Sequence, residues 1–309
     1  MKRKEELTEA LSDCTLCPRS CHADRLHGQK GVCGMDASVR LARAALHPWE
    51  EPCISGETGS GAVFFSGCPL GCCFCQNREI AIGQSGLTVT VDRLSEIFLE
   101  LQEQGAANIN LVTGTHYVPQ IILALETAKK SGLTIPVVYN CGGYECAETL
   151  RLLEGYVDIY LPDFKYMDNG LAAGFSRARN YPEKAREAIR EMVRQTGKPV
   201  FDEKGMIKKG TVVRHLVLPG HTKDSIAILK YLSETYGDSI YISVMSQYTP
   251  VFHQEKFEEL NRRLTKREYE KVLDAAFSFG IENGFYQEGD AAEESFIPPF
   301  DHQGVLKKS

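Results

Sequence analysis

The chain has 309 residues, of which 43% are apolar and 25% are charged, an ordinary composition for a globular protein. Its formal net charge of −6 argues against nucleic-acid binding, because sequence-independent binding requires a basic surface. Apolar runs stay short of the ~20 residues that a membrane-spanning helix needs, so no membrane partner is expected. The basic start turns acidic at once, which predicts no signal peptide. Eleven cysteines then predict a reducing, cytoplasmic compartment in which thiols bind metals.

Residues 1–57 form a predicted cysteine-rich, metal-binding segment. A helix is expected over 5–12, a strand over 36–45 and a linker over 55–61. Four cysteines between the helix and the strand follow the pattern C-x2-C-x3-C-x11-C. Four thiolates suit either a tetrahedral zinc site or an iron–sulfur cluster, and the pattern leaves both open, whereas the predicted compartment disfavours disulfides. These residues are Cys14, Cys17, Cys21 and Cys33.

From residue 61 onward, strand-like and helix-like segments alternate, which indicates parallel βαβ units of an α/β fold. Six units are predicted, fewer than the eight of a closed barrel. The strands are expected at 61–65, 108–113, 135–139, 157–161, 212–218 and 239–245. The helices are expected at 91–104, 119–130, 145–153, 182–195 and 222–236. A last helix at 265–279 precedes a tail, including Tyr286 and residues 296–300, that is expected to pack back onto the sheet.

The loop after the first of these strands has the strongest chemical signature. It carries Cys68, Cys72 and Cys75 in the spacing C-x3-C-x2-C, with glycines that let the backbone curl around an inorganic group. Thiolates are soft ligands that select zinc, copper(I) or iron–sulfur clusters. Three ligands without a fourth suit a four-iron cluster with one iron left open, and the alternative is a zinc loop that borrows a distant ligand.

This loop resembles that of the radical S-adenosylmethionine (radical SAM) superfamily, in which an aromatic residue, here Phe74, precedes the last cysteine. Within the superfamily, the chain is similar to the pyruvate formate-lyase activating enzyme-related branch. The resemblance implies a partial (β/α)6 TIM-type barrel over residues 58–250, a [4Fe-4S] cluster on the three cysteines and S-adenosylmethionine as cofactor. Residues 251–309 then form a C-terminal helix and tail packed on the barrel.

Ligands of parallel βα folds bind at the carboxyl ends of the strands, which is where further motifs of the chain fall. The chain is similar to the activating enzymes at Asp163 and Lys165, which suit the ribose or ammonium and the carboxylate of S-adenosylmethionine, and at Arg214, a fork for a carboxylate. Gly114 would contribute to a cofactor site made by the backbone. The complete expected cofactor-binding set is Phe74, Gln76, Gly114, Asn140, Asp163, Lys165, Arg214 and Gln247.

The sequence leaves the roles of four other residues open. His116 is either a base near the cofactor or a cap of the following helix. Cys73, Cys141 and Cys146 are expected to pack as buried thiols, with a radical-carrying thiol as the alternative, for which Cys141 is the best candidate.

The resemblance implies reductive cleavage of S-adenosylmethionine to methionine and a 5′-deoxyadenosyl radical that abstracts hydrogen. The substrate would be a glycine of a partner glycyl radical enzyme, another protein or peptide, or a small molecule. A low-potential donor such as flavodoxin or ferredoxin would supply the electron, and the N-terminal cysteines would relay electrons or shape the docking face. The non-enzymatic alternative is a metal-binding interaction protein on a barrel scaffold.

Overall fold

The computed structural model describes residues 2–287 and 298–307. Ten strands of this part of the chain belong to one sheet. They are β1 (Val39–His47), β2 (Ser60–Phe65), β3 (Leu87–Val89), β4 (Ile109–Val112), β5 (Val137–Cys141), β6 (Ile159–Pro162), β7 (Val200–Phe201), β8 (Ile207–Leu216), β9 (Tyr241–Met245) and β10 (Gly284–Tyr286).

Six strands run parallel and follow one another in chain order, as the alternation of elements predicts. β2 pairs with β4, which is followed by β5, β6, β8 and β9, and β10 adds a further parallel strand beside β9. On the other side β1 pairs antiparallel with β2, and β3 with β1. Within the described residues, β10 and β3 end the strand order and do not pair with each other. This open parallel sheet confirms the predicted partial barrel.

Helices connect the parallel strands and cover the sheet. The crossovers are α4 (Val91–Glu103), α5 (Val118–Lys130), α6 (Ala147–Leu152), α7 (Asn169–Ser176), α8 (Tyr181–Thr196) and α9 (Thr222–Tyr236). The others are α1 (Lys2–Glu9), α2 (Pro52–Ser55), α3 (Arg78–Ala81) and α10 (Lys266–Ser278), with 3-10 turns at Thr115–Tyr117, Gly237–Ser239 and Glu258–Asn261. No helix in the described ranges is both long enough and apolar enough to cross a bilayer.

Capping and periodicity explain why most helices are predictable. The Thr90 side chain accepts a hydrogen bond from the Arg93 N–H at the start of α4, and Thr265 and Glu268 form a capping box on α10. Helix α9 ends at Gly237, where φ is +49°. The predicted apolar face of α4 is buried in the core and comprises Leu94, Ile97, Phe98 and Leu101.

Several elements differ from the sequence expectation. The expected linker over 55–61 instead contains the start of β2, where Gly61 pairs with Leu46 of β1. The N-terminal segment therefore supplies a strand to the same sheet, and its division from the barrel near residue 57 stays a prediction. β8 begins five residues before the predicted 212, because exposed lysines at 208 and 209 interrupt its apolar run. Helix α7 was not predicted because its two glycines are poor helix formers.

The described part of the tail runs beside β1. The N–H of Ala44 donates to the carbonyl of Gln303 at 2.8 Å, and the ring of Phe300 packs against Phe64 with centroids 5.6 Å apart. The prediction that the tail packs onto the sheet therefore agrees with residues 298–307. Residues 296 and 297 of the predicted tail lie outside the described residues.

Candidate active site

The loop after β2 begins with a tight turn at Gly67. This glycine has a φ of +89°, and a side chain at its position would lie 2.8 Å from the carbonyl oxygen of Cys33. Both the left-handed conformation and the close approach require glycine. The turn that leads into the three cysteines is therefore built against the N-terminal segment.

The thiols of Cys68, Cys72 and Cys75 share one electrostatic environment. Burial raises the pKa of Cys68 and raises that of Cys75 to about 12, and the neighbouring Cys72 adds to both effects. The ammonium of Lys165 acts in the opposite direction on the same two groups. Because the protonated forms of Cys68 and Cys75 are favoured here, the ionisation of these two thiols requires a cation in the proton's place, which is what a metal centre provides.

The donor set fits an iron–sulfur cluster. Three soft ligands lie on one loop, and the Ser176 hydroxyl donates to the sulfur of Cys72 at 3.1 Å, a type of contact that tunes cluster potentials. Among the residues that the structure describes, no three cysteine, histidine, aspartate or glutamate side chains are placed as ligands of a single metal ion. The alternative of a zinc loop with a borrowed ligand stays a prediction.

A cavity of about 260 Å³ opens beside the cysteine loop at the carboxyl ends of the strands. Gly114 does not line it, whereas its neighbour Thr113 does, and a side chain at position 114 would approach Cδ1 of Ile121 to 2.5 Å. The glycine is thus explained by packing against α5. The structure brings the other predicted residues together in the cavity wall: Cys68, Cys72, Phe74, Cys75, Gln76, Asn140, Asp163, Lys165, Arg214 and Gln247.

Charged side chains in the cavity wall form a continuous hydrogen-bonded network. Nζ of Lys165 donates to Oδ2 of Asp163 at 2.6 Å, and Nε of Arg214 donates to Oδ1 of the same carboxylate at 3.0 Å. Arg214 also donates from Nη1 to Glu50 at 3.1 Å and from Nη2 to Asn140 at 2.6 Å. Arg214, predicted as a fork for a carboxylate, thus binds the carboxylates of Asp163 and Glu50 and positions Asp163. Its contact with the cofactor stays a prediction.

The network sets the charge states of its members. Burial alone would raise the pKa of Asp163, but Lys165 and Arg214 outweigh it and hold that pKa below its usual value. Burial acts to lower the pKa of Lys165, and the carboxylate of Asp163 raises it instead. The site therefore contains an ionised carboxylate between two cations, directly beside the thiols.

The prediction missed the contribution of residues 49–51. Glu50 completes the Arg214 pair, and it also accepts from Nδ2 of Asn110 at 3.0 Å and of Asn140 at 3.2 Å. The available signal was two adjacent carboxylates before Pro52, and nothing in this local sequence names a partner 164 positions away. The pairing of Glu50 with Arg214 could therefore be identified only in the folded structure.

A second cavity of about 420 Å³ adjoins the first. The two share Trp49, Glu50, Arg214, Met245 and Gln247, and the second extends between Pro52 and the strand β10. Glu51 lines it, is 8% exposed, and its buried Oε2 has no hydrogen-bond partner among the residues that the structure describes. The described residues therefore leave room for a second molecule beside whatever occupies the first cavity.

His116 is placed as a structural residue. It is buried, and its Nε2 donates to the carbonyl of Ser66 at 2.8 Å, in the turn before the cysteine loop. Burial and then the charge of Arg25 lower its pKa to about 3, so the ring is neutral. It does not line the cavity, which removes support for a base near the cofactor.

The remaining cysteines also have distinct places. Cys141 is buried at the end of β5 and lines the first cavity, whereas Cys73 turns away and packs beside Phe175. Cys146 lies near the N-terminal segment, with its sulfur 3.8 Å from the carbonyl of Thr15. Of the three, only Cys141 therefore faces the site, as the sequence indicates.

Comparisons with known proteins agree with this geometry. The sequence model of the Radical SAM superfamily matches residues 62–232, more than half of the chain. The chain therefore belongs to the radical SAM superfamily.

One curated protein and two solved structures are among those similar to this chain. The uncharacterized protein MJ0674 of Methanocaldococcus jannaschii is 28% identical over 280 residues, which cover 88% of this chain and 76% of that protein. Among solved structures, Streptococcus suis SuiB bound to S-adenosylmethionine matches with 14% identity and a TM-score of 0.47, over 72% of this chain. SuiB bound to its precursor peptide SuiA matches with 15% identity and a TM-score of 0.46. The chain spans about half the length of SuiB, 49% and 47% in the two structures.

Proposed function

We propose that this radical SAM protein cleaves S-adenosylmethionine reductively and uses the resulting radical to abstract hydrogen from a protein or peptide substrate. The observation that carries the proposal is the opening of the three-cysteine loop into a cavity walled by the Lys165–Asp163–Arg214 network. A set of three thiolates leaves one iron of a four-iron cluster open to a further ligand. The adjacent charges match a cofactor that carries an ammonium, a carboxylate and hydroxyls.

Each residue of the wall has a proposed task. Cys68, Cys72 and Cys75 would hold the [4Fe-4S] cluster, which when bound supplies the electron that splits S-adenosylmethionine. Lys165 would attract the cofactor carboxylate, and Asp163, kept ionised by its two cations, would accept from the ammonium or the ribose. The side chains of Lys165 and Asp163 are largely buried, which would limit the access of water to a reactive radical.

The adjoining second cavity supports a place for the substrate. It shares five wall residues with the first cavity, so a group bound there lies next to the cofactor. The buried Oε2 of Glu51 offers an acceptor to a hydroxyl or amine of that group. Together these features favour hydrogen abstraction from a second molecule over a site for the cofactor alone.

The finer assignment is proposed from the sequence resemblance to glycyl radical activating enzymes. In that case the hydrogen comes from a backbone glycine of a partner enzyme, with flavodoxin or ferredoxin as electron donor, in the cytoplasm. A peptide or small-molecule substrate is the alternative within the same chemistry. A glycyl radical spectrum in a mixture with the partner enzyme would support the first substrate. A changed mass of a peptide or metabolite would support the alternative.

The decisive experiment is anaerobic reconstitution with iron and sulfide, followed by dithionite and S-adenosylmethionine. We expect a brown, oxygen-sensitive protein whose cluster spectrum changes on cofactor addition and that forms 5′-deoxyadenosine. A protein that binds metal in air, has no affinity for the cofactor and forms no 5′-deoxyadenosine would instead be the non-enzymatic scaffold.

A further inference from the structure

The N-terminal cysteines converge in the folded chain. Cys14, Cys17 and Cys33 are buried, and a side chain at Gly31 would lie 3.1 Å from the sulfur of Cys21 and 3.4 Å from that of Cys33. The sulfur of Cys21 also lies 3.9 Å from the carbonyl oxygen of Cys14, and Cys17 is buried between these two residues on the same stretch of chain. The four therefore form one group, here called the N-terminal thiol group, on the chain between α1 and β1.

A buried cation faces this group. The side chain of Arg25 is 1% exposed and donates from Nη1 to the sulfur of Cys14 at 3.7 Å. Its other acceptors are the backbone carbonyls of Met35, Asp36 and His116. Within the described residues no carboxylate lies within ion-pairing distance of its guanidinium. Hydrogen bonds and the ring of Tyr117, whose centroid lies 5.6 Å from Cζ, compensate part of the cost of burying this guanidinium. A negative charge at the thiols would complete its neutralisation.

We propose that Cys14, Cys17, Cys21 and Cys33 bind a second iron–sulfur cluster, whose negative charge is neutralised by Arg25. Four thiolates around a cluster carry a net negative charge, which four protonated thiols lack. A cluster spreads its ligands over several irons, in agreement with the finding that no three described side chains are placed around a single ion. This inference is independent of the proposed reaction, because the cluster is counted without turnover.

The second site is also joined to the first. Arg19, between Cys17 and Cys21, donates from Nε to the carbonyl of Pro69 at 2.8 Å and from Nη2 to that of Leu70 at 3.0 Å. The same guanidinium donates to the carbonyls of residues 176 and 177 at 2.9 and 2.5 Å. A cluster held by the neighbouring cysteines would therefore fix Arg19 across the loop that carries Cys68 and Cys72.

The test counts iron in the full chain after anaerobic reconstitution. We expect about eight irons in the wild type and about four in the double variant Cys14→Ser/Cys17→Ser. The triple variant Cys68→Ala/Cys72→Ala/Cys75→Ala is expected to keep about four irons and a cluster spectrum that S-adenosylmethionine does not change. The matched control is Cys53→Ser, a buried thiol outside both sets, which should keep the full count.

The proposal is overturned if the wild type binds about four irons. It is also overturned if the double variant loses zinc while its iron count stays unchanged. If the double variant does not fold, the triple variant decides alone, and a triple variant free of iron refutes the second cluster. As a further measurement, Arg25→Gln should make the midpoint potential of the remaining cluster in the triple variant more negative, because a positive charge is removed. An unchanged potential would contradict the neutralising role of Arg25.

Discussion

The two cysteine-bearing regions of this molecule differ in whether they line a cavity and in the charged groups beside them. The loop of Cys68, Cys72 and Cys75 opens into a cavity, and its cation, Lys165, belongs to a network that also contains carboxylates. The N-terminal thiol group does not line that cavity, and it faces Arg25, whose acceptors are carbonyls and one sulfur.

This difference separates two uses of thiolates. Metal sites that do chemistry keep a coordination position open, whereas closed sites stabilise a fold or store charge. Under the two proposals made above, the three-cysteine loop would have the open arrangement and the N-terminal thiol group the closed one. Variants that affect only one region should therefore separate effects on the reaction from effects on stability. The variant with the largest expected effect comes first.

Cys72→Ala should abolish formation of 5′-deoxyadenosine, because two thiolates cannot hold the cluster at the cavity. The measurement is product formation under dithionite after reconstitution. Cys73→Ala is the matched control, since the neighbouring thiol packs away from the cavity and should keep most of the activity. Equal losses in the two variants would contradict the assignment of ligands.

Lys165→Met should raise the KM for S-adenosylmethionine by roughly 10–100-fold, the equivalent of one hydrogen bond between charged groups. The variant removes the proposed carboxylate partner but leaves the cysteine ligands in place. Iron content should therefore stay unchanged, as measured beside the kinetics. Lys184→Met, which breaks a peripheral pair with Glu187 at 2.7 Å, is the control that should leave KM unaffected.

Arg19→Met tests the connection between the two regions. We expect several-fold faster loss of iron from the three-cysteine loop in air, because the variant removes four hydrogen bonds to backbone carbonyls. The rate is read from the decay of the cluster absorbance. Arg151→Met, an exposed arginine on α6, should decay at the wild-type rate, and an Arg19 variant that does the same would show that the regions are independent.

The smallest effect concerns Glu145, a buried carboxyl that accepts from Thr115 at 2.7 Å and from Tyr139 at 3.1 Å. Burial raises its pKa to about 7 against these hydrogen bonds, which lower it. Between pH 4.5 and 7 the folded state therefore binds more protons than the unfolded state, so this group's contribution to stability falls as pH rises.

Glu145→Gln should remove that trend, with a change of about 1 kcal/mol in the difference in stability between pH 5 and pH 6. Anaerobic denaturant unfolding at the two values measures it. Glu148→Gln, which is 80% exposed in its side chain, should show the wild-type dependence. If the stability of the Glu145 variant depended on pH as that of the wild type does, Glu145 would not be the origin of the effect.

Local sequence signals were sufficient for much of this molecule. The six parallel strands, the capped helices and ten of the cavity residues follow from periodicity, turn chemistry and the family resemblance. Features that depend on contacts between residues distant in the sequence could not be predicted. Glu50 matters only because β8 brings Arg214 to it, and β3 and β10 are three-residue strands defined by their neighbours. The role of His116 stayed open in the sequence for the same reason, since burial rather than local sequence decides its charge.

The antiparallel pairing of β1 with β2 has a practical consequence. All six residues of β2 are buried, and the strand is hydrogen-bonded to β4 on one side and β1 on the other. A truncated chain that starts at residue 58 would leave one side of this apolar strand as an unprotected sheet edge, a template for self-association. Expression of residues 58–309 alone should therefore give aggregates, whereas a chain cut just before Val39 would keep that edge covered.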